Sequence, residues 1–150
     1  MMIFIGADHG GFELKKKIVQ WLDERHLPYT DVGAHTFDAE DDYPAFAFAV
    51  AEGVAKAPAE NRGILACRSA AGVVIAANKV VGVRAVAPFS VEAAHHSREH
   101  NDANVLGLSG DWLTDEQAHE MLFAWLDTPF SNEERHVRRV QQITEYEKNH

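Results

Sequence analysis

The sequence predicts a three-layer α/β/α domain: a five-stranded parallel sheet covered on both faces by helices, with an extra C-terminal helix. Three observations point there. Short apolar segments alternate in order with segments of helical periodicity. The apolar segments lack the polar alternation of a half-solvated strand, as buried parallel strands do. Polar or glycine-containing turns follow them, and right-handed crossovers bring such turns to one edge of a sheet. At 150 residues, 46% hydrophobic and 25% charged, the chain is long enough to bury a sizeable core. No repeat or linker divides it, so residues 1–150 are expected to form one domain.

Met2 to Ala7 is the first apolar run and ends in the turn Asp8-His9-Gly10-Gly11, after which Leu14, Ile18, Val19, Trp21 and Leu22 recur at helical spacing. Pro28 to Val32 gives a second short strand. The acidic loop Asp38 to Asp42 precedes Tyr43-Pro44, where proline suits a first helical turn, and an alanine-rich helix runs to about Ala57. Gly63 to Ala66 reads as a third strand; Cys67 through Ala71 turns at its carboxyl end, and a helix follows from Gly72. Val83 to Ala87 is the fourth strand, with its helix from Val91 to about Arg98, and Val105 to Leu108 is the fifth. Thr114, Glu116 and Gln117 resemble a capping box for a helix ending near Asp127, and a final helix spans about Asn132 to Glu147.

Charge and cysteine usage exclude some partners. Twenty-three acidic residues against 14 basic ones give a net charge of −9, and no basic run exceeds Lys15-Lys16-Lys17. Nucleic acid and anionic membranes are therefore poor partners. No apolar run approaches the length of a membrane span. A single cysteine cannot form an intrachain disulfide, and the amino terminus enters a strand without a basic segment and apolar signal region, so the chain is read as cytoplasmic.

The stretch Gly63 to Lys79 is where chemistry is expected. Ligands of open parallel sheets bind at strand carboxyl ends, where N–H groups at a helix start stabilise an anion. A thiol there, Cys67, takes and returns a proton or attacks a substrate if the helix start and Arg68 favour its thiolate. The competing reading is a buried structural cysteine. Arg68-Ser69 tips the balance, since a cation and a hydroxyl have little reason to follow a core strand. Asp8-His9-Gly10-Gly11 offers sugar hydroxyl and phosphate contacts, or simply a surface turn capped by Asp8. His100-Asn101-Asp102-Ala103-Asn104, between a helix and a strand, supplies a candidate acid or base with amides to orient it. His96 and His100 are four apart, but spacing fixes no third metal ligand, and no metal is expected. Arg135 and Arg139, one helical turn apart, clamp one anion or pair with Glu133 and Glu134. Trp21 and Trp125 fall on apolar faces as core, whereas Trp112 sits in a loop.

Together these motifs resemble the ribose-5-phosphate isomerase B family, which includes related galactose-6-phosphate isomerase subunits. The residues that carry the resemblance are Asp8-His9-Gly10-Gly11, Asp42-Tyr43-Pro44, Cys67 with Ile75-Ala76-Ala77-Asn78-Lys79, Gly82-Val83-Arg84-Ala85, His100 to Val105, and Arg135 with Arg139. They cover essentially the whole chain in order. The resemblance implies a Rossmann-like homodimer, possibly paired into a tetramer, that interconverts aldose and ketose phosphates without a cofactor. It implies that Cys67 is the base moving a proton between C1 and C2 through an enediolate, with the loop Ser69, Ala70, Ala71 and Gly72 holding the enediolate oxygens by backbone N–H groups. It further implies ring opening by Asp8 and His100, phosphate binding by His9, Arg135 and Arg139, and a site lined by Tyr43, with His100 and Asn101 contributed by the partner subunit. A thiol base needs a lowered pKa, which the loop dipoles and Arg68 are expected to supply.

Two departures from the family pattern stand out. The usual loop, Cys-Gly-Thr-Gly-x-Gly, reads here Cys67-Arg68-Ser69-Ala70-Ala71-Gly72, so a position needing positive φ would carry strain. Where the family often places a phosphate-binding arginine after the fifth strand, this chain has Asp111. Arg68 and Asp111 are expected to be linked, by a salt bridge or a relocated anion contact, with a shifted substrate as the result. The alternatives are a non-catalytic sugar-binding or regulatory subunit, a flavodoxin-like or receiver-type module of the same architecture, and a cysteine hydrolase using Cys67 and His100.

Overall fold

Ile3–Ala7 (β1), Arg62–Cys67 (β3) and Val105–Ser109 (β5) are buried almost throughout, because both of their faces are covered. A computed structural model describes residues 1–150 and places these strands at the centre of a five-stranded sheet. Tyr29–Gly33 (β2) and Ala85–Val86 (β4) are its edges, the order is β2-β1-β3-β5-β4, and every pairing is parallel. The helices are Phe12–Glu24 (α1), Tyr43–Ala55 (α2), Ala71–Ala77 (α3), Val91–Asn101 (α4), Asp115–Asp127 (α5) and Glu134–Asn149 (α6).

Side-chain alternation along the strands divides the interior into two cores. Ile64 joins Ile3, Ile18, Leu106, Leu122 and Trp125 on the face covered by α1, α4 and α5. Its neighbour Leu65 joins Val50, Val54, Val73 and Val105 under α2 and α3. The strand order explains this division. The chain leaves β1 toward β2 and leaves β3 in the opposite direction toward β4, so right-handed crossovers put α1 and α3 on opposite faces. Between the carboxyl ends of β1 and β3 this opens a crevice.

Local signals set most boundaries. Pro44 occupies the first turn of α2, and Thr114 with Gln117 forms the reciprocal capping box of α5. Three boundaries differ from the sequence reading. The fourth strand shrinks from Val83–Ala87 to Ala85–Val86, because the Asn78 side chain takes both the N–H and the carbonyl of Ala85 at its outer edge. The fourth helix runs on past Arg98 to Asn101, where Asp102 turns left-handed at φ 48° and ends it. The last helix starts at Glu134, because Asn132 sits at φ 58° and breaks the helical path. No helix is long and apolar enough to cross a membrane.

Candidate active site

Asp8 and His9 follow β1 directly. Asp8 is buried and caps a single 3₁₀ turn, His9–Gly11, by accepting the Gly11 N–H at 3.2 Å. Cap and crevice residue are therefore one and the same. Only glycine fits at position 11, since a Cβ there would stand 2.1 Å from the Ala66 carbonyl oxygen. Burial pushes the Asp8 carboxyl above its usual range, against the opposing pull of the Gly11 N–H and His9. His9 places Nδ1 2.7 Å from Asp41 Oδ1, and its backbone N–H donates to the same oxygen at 3.0 Å. That bond to Asp41 raises the His9 pKa despite partial desolvation; Asp8 adds to the rise and Arg68 opposes it. Asp41, 32 residues from His9 in sequence, was not anticipated as a site residue; its only sequence signal is the acidic run ahead of Tyr43.

Cys67 is the last residue of β3 and is buried. Its Sγ accepts the Ala70 N–H at 3.1 Å. Burial pushes the thiol pKa up, and Asp8 adds to that, while N–H groups of Ala70, Val73 and Ser69 pull it down. The net direction is upward, which corrects the expectation of a lowered thiol. The loop dipoles act as expected, but desolvation of a thiolate outweighs them. Arg68 adds nothing to this balance: it turns outward and meets Asp111, Nη1 to Oδ2 at 3.7 Å.

The altered loop closes with strain at one residue. Of the two positions where the family pattern has glycine, Ala70 takes φ 69° as the N-cap of α3, while Arg68 stays outside the positive-φ set. Ser69 Oγ accepts the Ala71 N–H at 3.2 Å. Tyr43, at the start of α2, lays its ring over Gly72, where an added Cβ would meet the ring at 2.6 Å. The helix begins at Ala71, one residue before the expected Gly72. A third loop buttresses the second: Gly110 N–H donates to the Cys67 carbonyl at 2.8 Å, Asp111 N–H to the Arg68 carbonyl at 3.2 Å, and Ser109 Oγ also to Arg68 O. Beside it lies a cavity of about 130 Å³ lined by Ser69, Ala70, Pro88, Phe89, Ser109 and Trp112.

The remaining predicted residues lie elsewhere. His100 and Asn101 form the last turn of α4, not a loop, and face the amino end of the sheet, where β5 begins. The His100 ring stacks on His136 at 4.1 Å and lies 4.0 Å from His96. His136, buried and bonded through Nδ1 to Ser131 Oγ at 2.8 Å, has its pKa lowered by desolvation, then by His100 and Arg135. Arg84 and Arg98 both bind the Asp102 carboxylate, at 3.3 and 2.8 Å, and so fix the end of α4. On α6, Arg135 pairs with Glu133 at 3.1 Å, and Arg139 is exposed. One chain thus holds the expected site residues in two clusters at opposite ends of its sheet. Asp8, His9, Tyr43 and Cys67 to Gly72 form one; His100, Asn101, Arg135 and Arg139 form the other.

His96 and His100 gather no third ligand. The grouping whose ligand atoms come within 4.8 Å of one another, as a metal site would require, is Asp8, His9 and Asp41. There His9 Nδ1 and Asp41 Oδ1 already pair with each other at 2.7 Å.

A parallel α/β sheet with a thiol, a carboxylate and helix-start N–H groups at its switch point defines a small-ligand domain of the α/β class with groups suited to proton transfer. Comparison with known proteins gives the family. The family model described as ribose/galactose isomerase matches residues 3–143. Ribose-5-phosphate isomerase B of Mycobacterium tuberculosis is 41% identical over 150 residues, covering 100% of this chain and 92% of that protein. The structure of ribose-5-phosphate isomerase B from Mycoplasma genitalium with bound ribulose-5-phosphate superposes with a TM-score of 0.96 at 42% identity, over 99% of this chain and 97% of that one. The Clostridium thermocellum enzyme of the same name gives 0.93 at 41% identity, covering 99% of each chain. The chain belongs to the ribose/galactose isomerase family, and it is an isomerase.

Proposed function

We propose that the chain interconverts the aldose and ketose forms of a small sugar phosphate, ribose 5-phosphate and ribulose 5-phosphate or a related tetrose, pentose or hexose phosphate. The observation that carries this reading is Cys67 at the crevice floor, its sulfur facing the N–H groups of the loop that opens α3. A relative 42% identical binds ribulose-5-phosphate, which supports a phosphorylated open-chain sugar as ligand.

In this mechanism Cys67 removes the proton from the carbon beside the carbonyl and returns it to the neighbouring carbon. Negative charge develops on the enediolate oxygens, where N–H groups of Ser69 to Gly72 stabilise it most. Asp8 and His100 open the sugar ring. His9, Arg135 and Arg139 take the phosphate, and Tyr43 and Asn101 line the site. No cofactor or metal takes part. Because burial favours the neutral thiol, only a minority thiolate reacts at neutral pH, so kcat rises with pH toward the elevated Cys67 pKa.

Two clusters at opposite ends of one chain favour a homodimer in which the crevice of one protomer meets the α4–α6 end of the other, as isologous symmetry permits. Residues 1–150 serve as a single isomerase domain. A thiol that must stay reduced suits the cytoplasm.

Proton NMR in deuterated water with a panel of tetrose, pentose and hexose phosphates tests the chemistry. Exchange of the hydrogen beside the carbonyl, with ketose formation, is expected for at least one sugar, and Cys67→Ala should slow it by about 10²–10⁴-fold, the usual contribution of a general base. Undiminished exchange in Cys67→Ala would remove Cys67 from the mechanism.

A further inference from the structure

Asp41, a carboxylate bonded to His9, has no part in the reaction above. It lies in the acidic loop ahead of α2, with its side chain only 11% exposed. One oxygen, Oδ1, accepts both from His9 Nδ1 at 2.7 Å and from the His9 backbone N–H at 3.0 Å. The other, Oδ2, is buried and has no hydrogen-bond partner. A buried carboxylate oxygen without a donor is costly to keep, and amide or alcohol acceptors would serve the backbone N–H at lower cost. What a carboxylate adds is charge, and that charge is directed at the imidazole.

Two consequences follow for His9. With Nδ1 tied to Asp41, the ring cannot flip, and Nε2 is the nitrogen left for a ligand. A neutral ring bonded this way offers a ligand only a lone pair; a protonated ring offers an N–H. An anion requires the second form.

We propose that Asp41 is a positioning residue for anion binding, orienting His9 and holding it as an imidazolium whose Nε2–H faces the substrate's phosphate. This rests on the phosphate-binding role assigned to His9 above. The surroundings of the ring agree with it: the bond to Asp41, with the charges of Asp8 and Asp41, favours the protonated form and outweighs desolvation and Arg68, which oppose it. A raised His9 pKa means the imidazolium, and the bond it makes to Asp41, persist above the usual histidine range and are lost only as pH rises through the elevated value. Anion affinity should follow the same curve.

Asp41→Asn separates charge from shape. Its amide oxygen still accepts from His9, and its amide nitrogen replaces the unpartnered Oδ2. Asp41→Ala removes both and serves as the second variant. His9 ring titration by NMR should move to lower pH in both. Sulfate, a dianion from pH 5 to 9, reports binding without titrating itself. Its Kd at pH 7 should weaken roughly tenfold, the scale of removing charge from one hydrogen bond. With sugar phosphate, KM should rise alongside it while kcat at saturation stays within about twofold, as loss of uniform binding predicts. A His9 titration that stays put in both variants, or sulfate affinity that does not change, would overturn the proposal. Neither readout needs turnover, so an enzyme silent on every sugar would sink the isomerase mechanism and leave this assignment standing.

Discussion

The two clusters of candidate site residues are built differently. At the carboxyl edge, geometry comes from backbone: Gly11 rests against the Ala66 carbonyl, Cys67 Sγ accepts from Ala70, and Gly110 and Asp111 N–H groups lock the Cys67 and Arg68 carbonyls. At the amino edge, the groups are side chains on helix ends, and α6 buries a single residue, His136, in its 16. The first cluster is fixed by backbone contacts. The second is held by side-chain contacts on α4 and α6, with Arg139 left exposed.

That contrast is broken or sharpened most decisively by mixing variants. Under the proposed shared site, Cys67→Ala and His100→Ala each remove one contribution to every site, so each variant should lose about 10²–10⁴-fold in rate. Unfolded together and refolded, the two should form mixed dimers with one intact site in two. Random pairing makes half the dimers mixed, so activity should return to about one quarter of the parent's. No recovery, with mixed dimers verified, would mean that each chain works alone and that His100 has no part in a shared site.

Stability offers the next largest contrast. Gly11→Ala pushes a methyl into backbone atoms that cannot yield cheaply, so the chain should lose about 3 kcal/mol or more, at the upper end of overpacking costs. Arg139→Ala, on an exposed stretch of α6, should change stability by less than about 0.5 kcal/mol. Thermal unfolding of both checks this. Equal losses would mean that the amino-edge half is as tightly built as the other.

How much of this was legible in the sequence follows the same division. The central strands were readable because burial on both faces leaves runs such as Ile64 to Ala66 with no polar alternation. Cys67 and Asp8 could be placed at one edge because the turn after a strand and the handedness of crossovers are local or universal rules. Their ionisation was not legible, since the thiol's environment is summed over groups from Asp8 to Val73 and over burial that only the folded chain defines. The end of α4 is hidden in the sequence for a related reason. His95 to Asn101 is too polar to show a helical stripe, and its continuation depends on Arg84 and Arg98 gripping Asp102. The role of Asp41 is not legible, because its partner is 32 residues away and no spacing rule connects them. The predicted link between Arg68 and Asp111, by contrast, is present in the first of its two expected forms, a salt bridge between neighbouring loops.

That bridge is also where the smallest stability effect should carry a chemical one. Both partners are largely exposed at 3.7 Å, so the pair contributes under about 1 kcal/mol. The loop frame does not depend on it, because Gly110 and Asp111 hold the Cys67 and Arg68 carbonyls through backbone N–H groups. The Arg68 stem nonetheless covers Gly10, where an added Cβ would stand 2.5 Å from its Cγ, so it forms a wall of the crevice beside His9. Arg68→Gly removes wall and cation together while leaving the backbone able to close the same turn. Unfolding should shift little, whereas the ratios of kcat/KM among tetrose, pentose and hexose phosphates should move by several fold, the discrimination expected of one pocket contact. A variant with the parent's full substrate profile and affinity would show that Arg68 and Asp111 neutralise one another at the rim and select nothing.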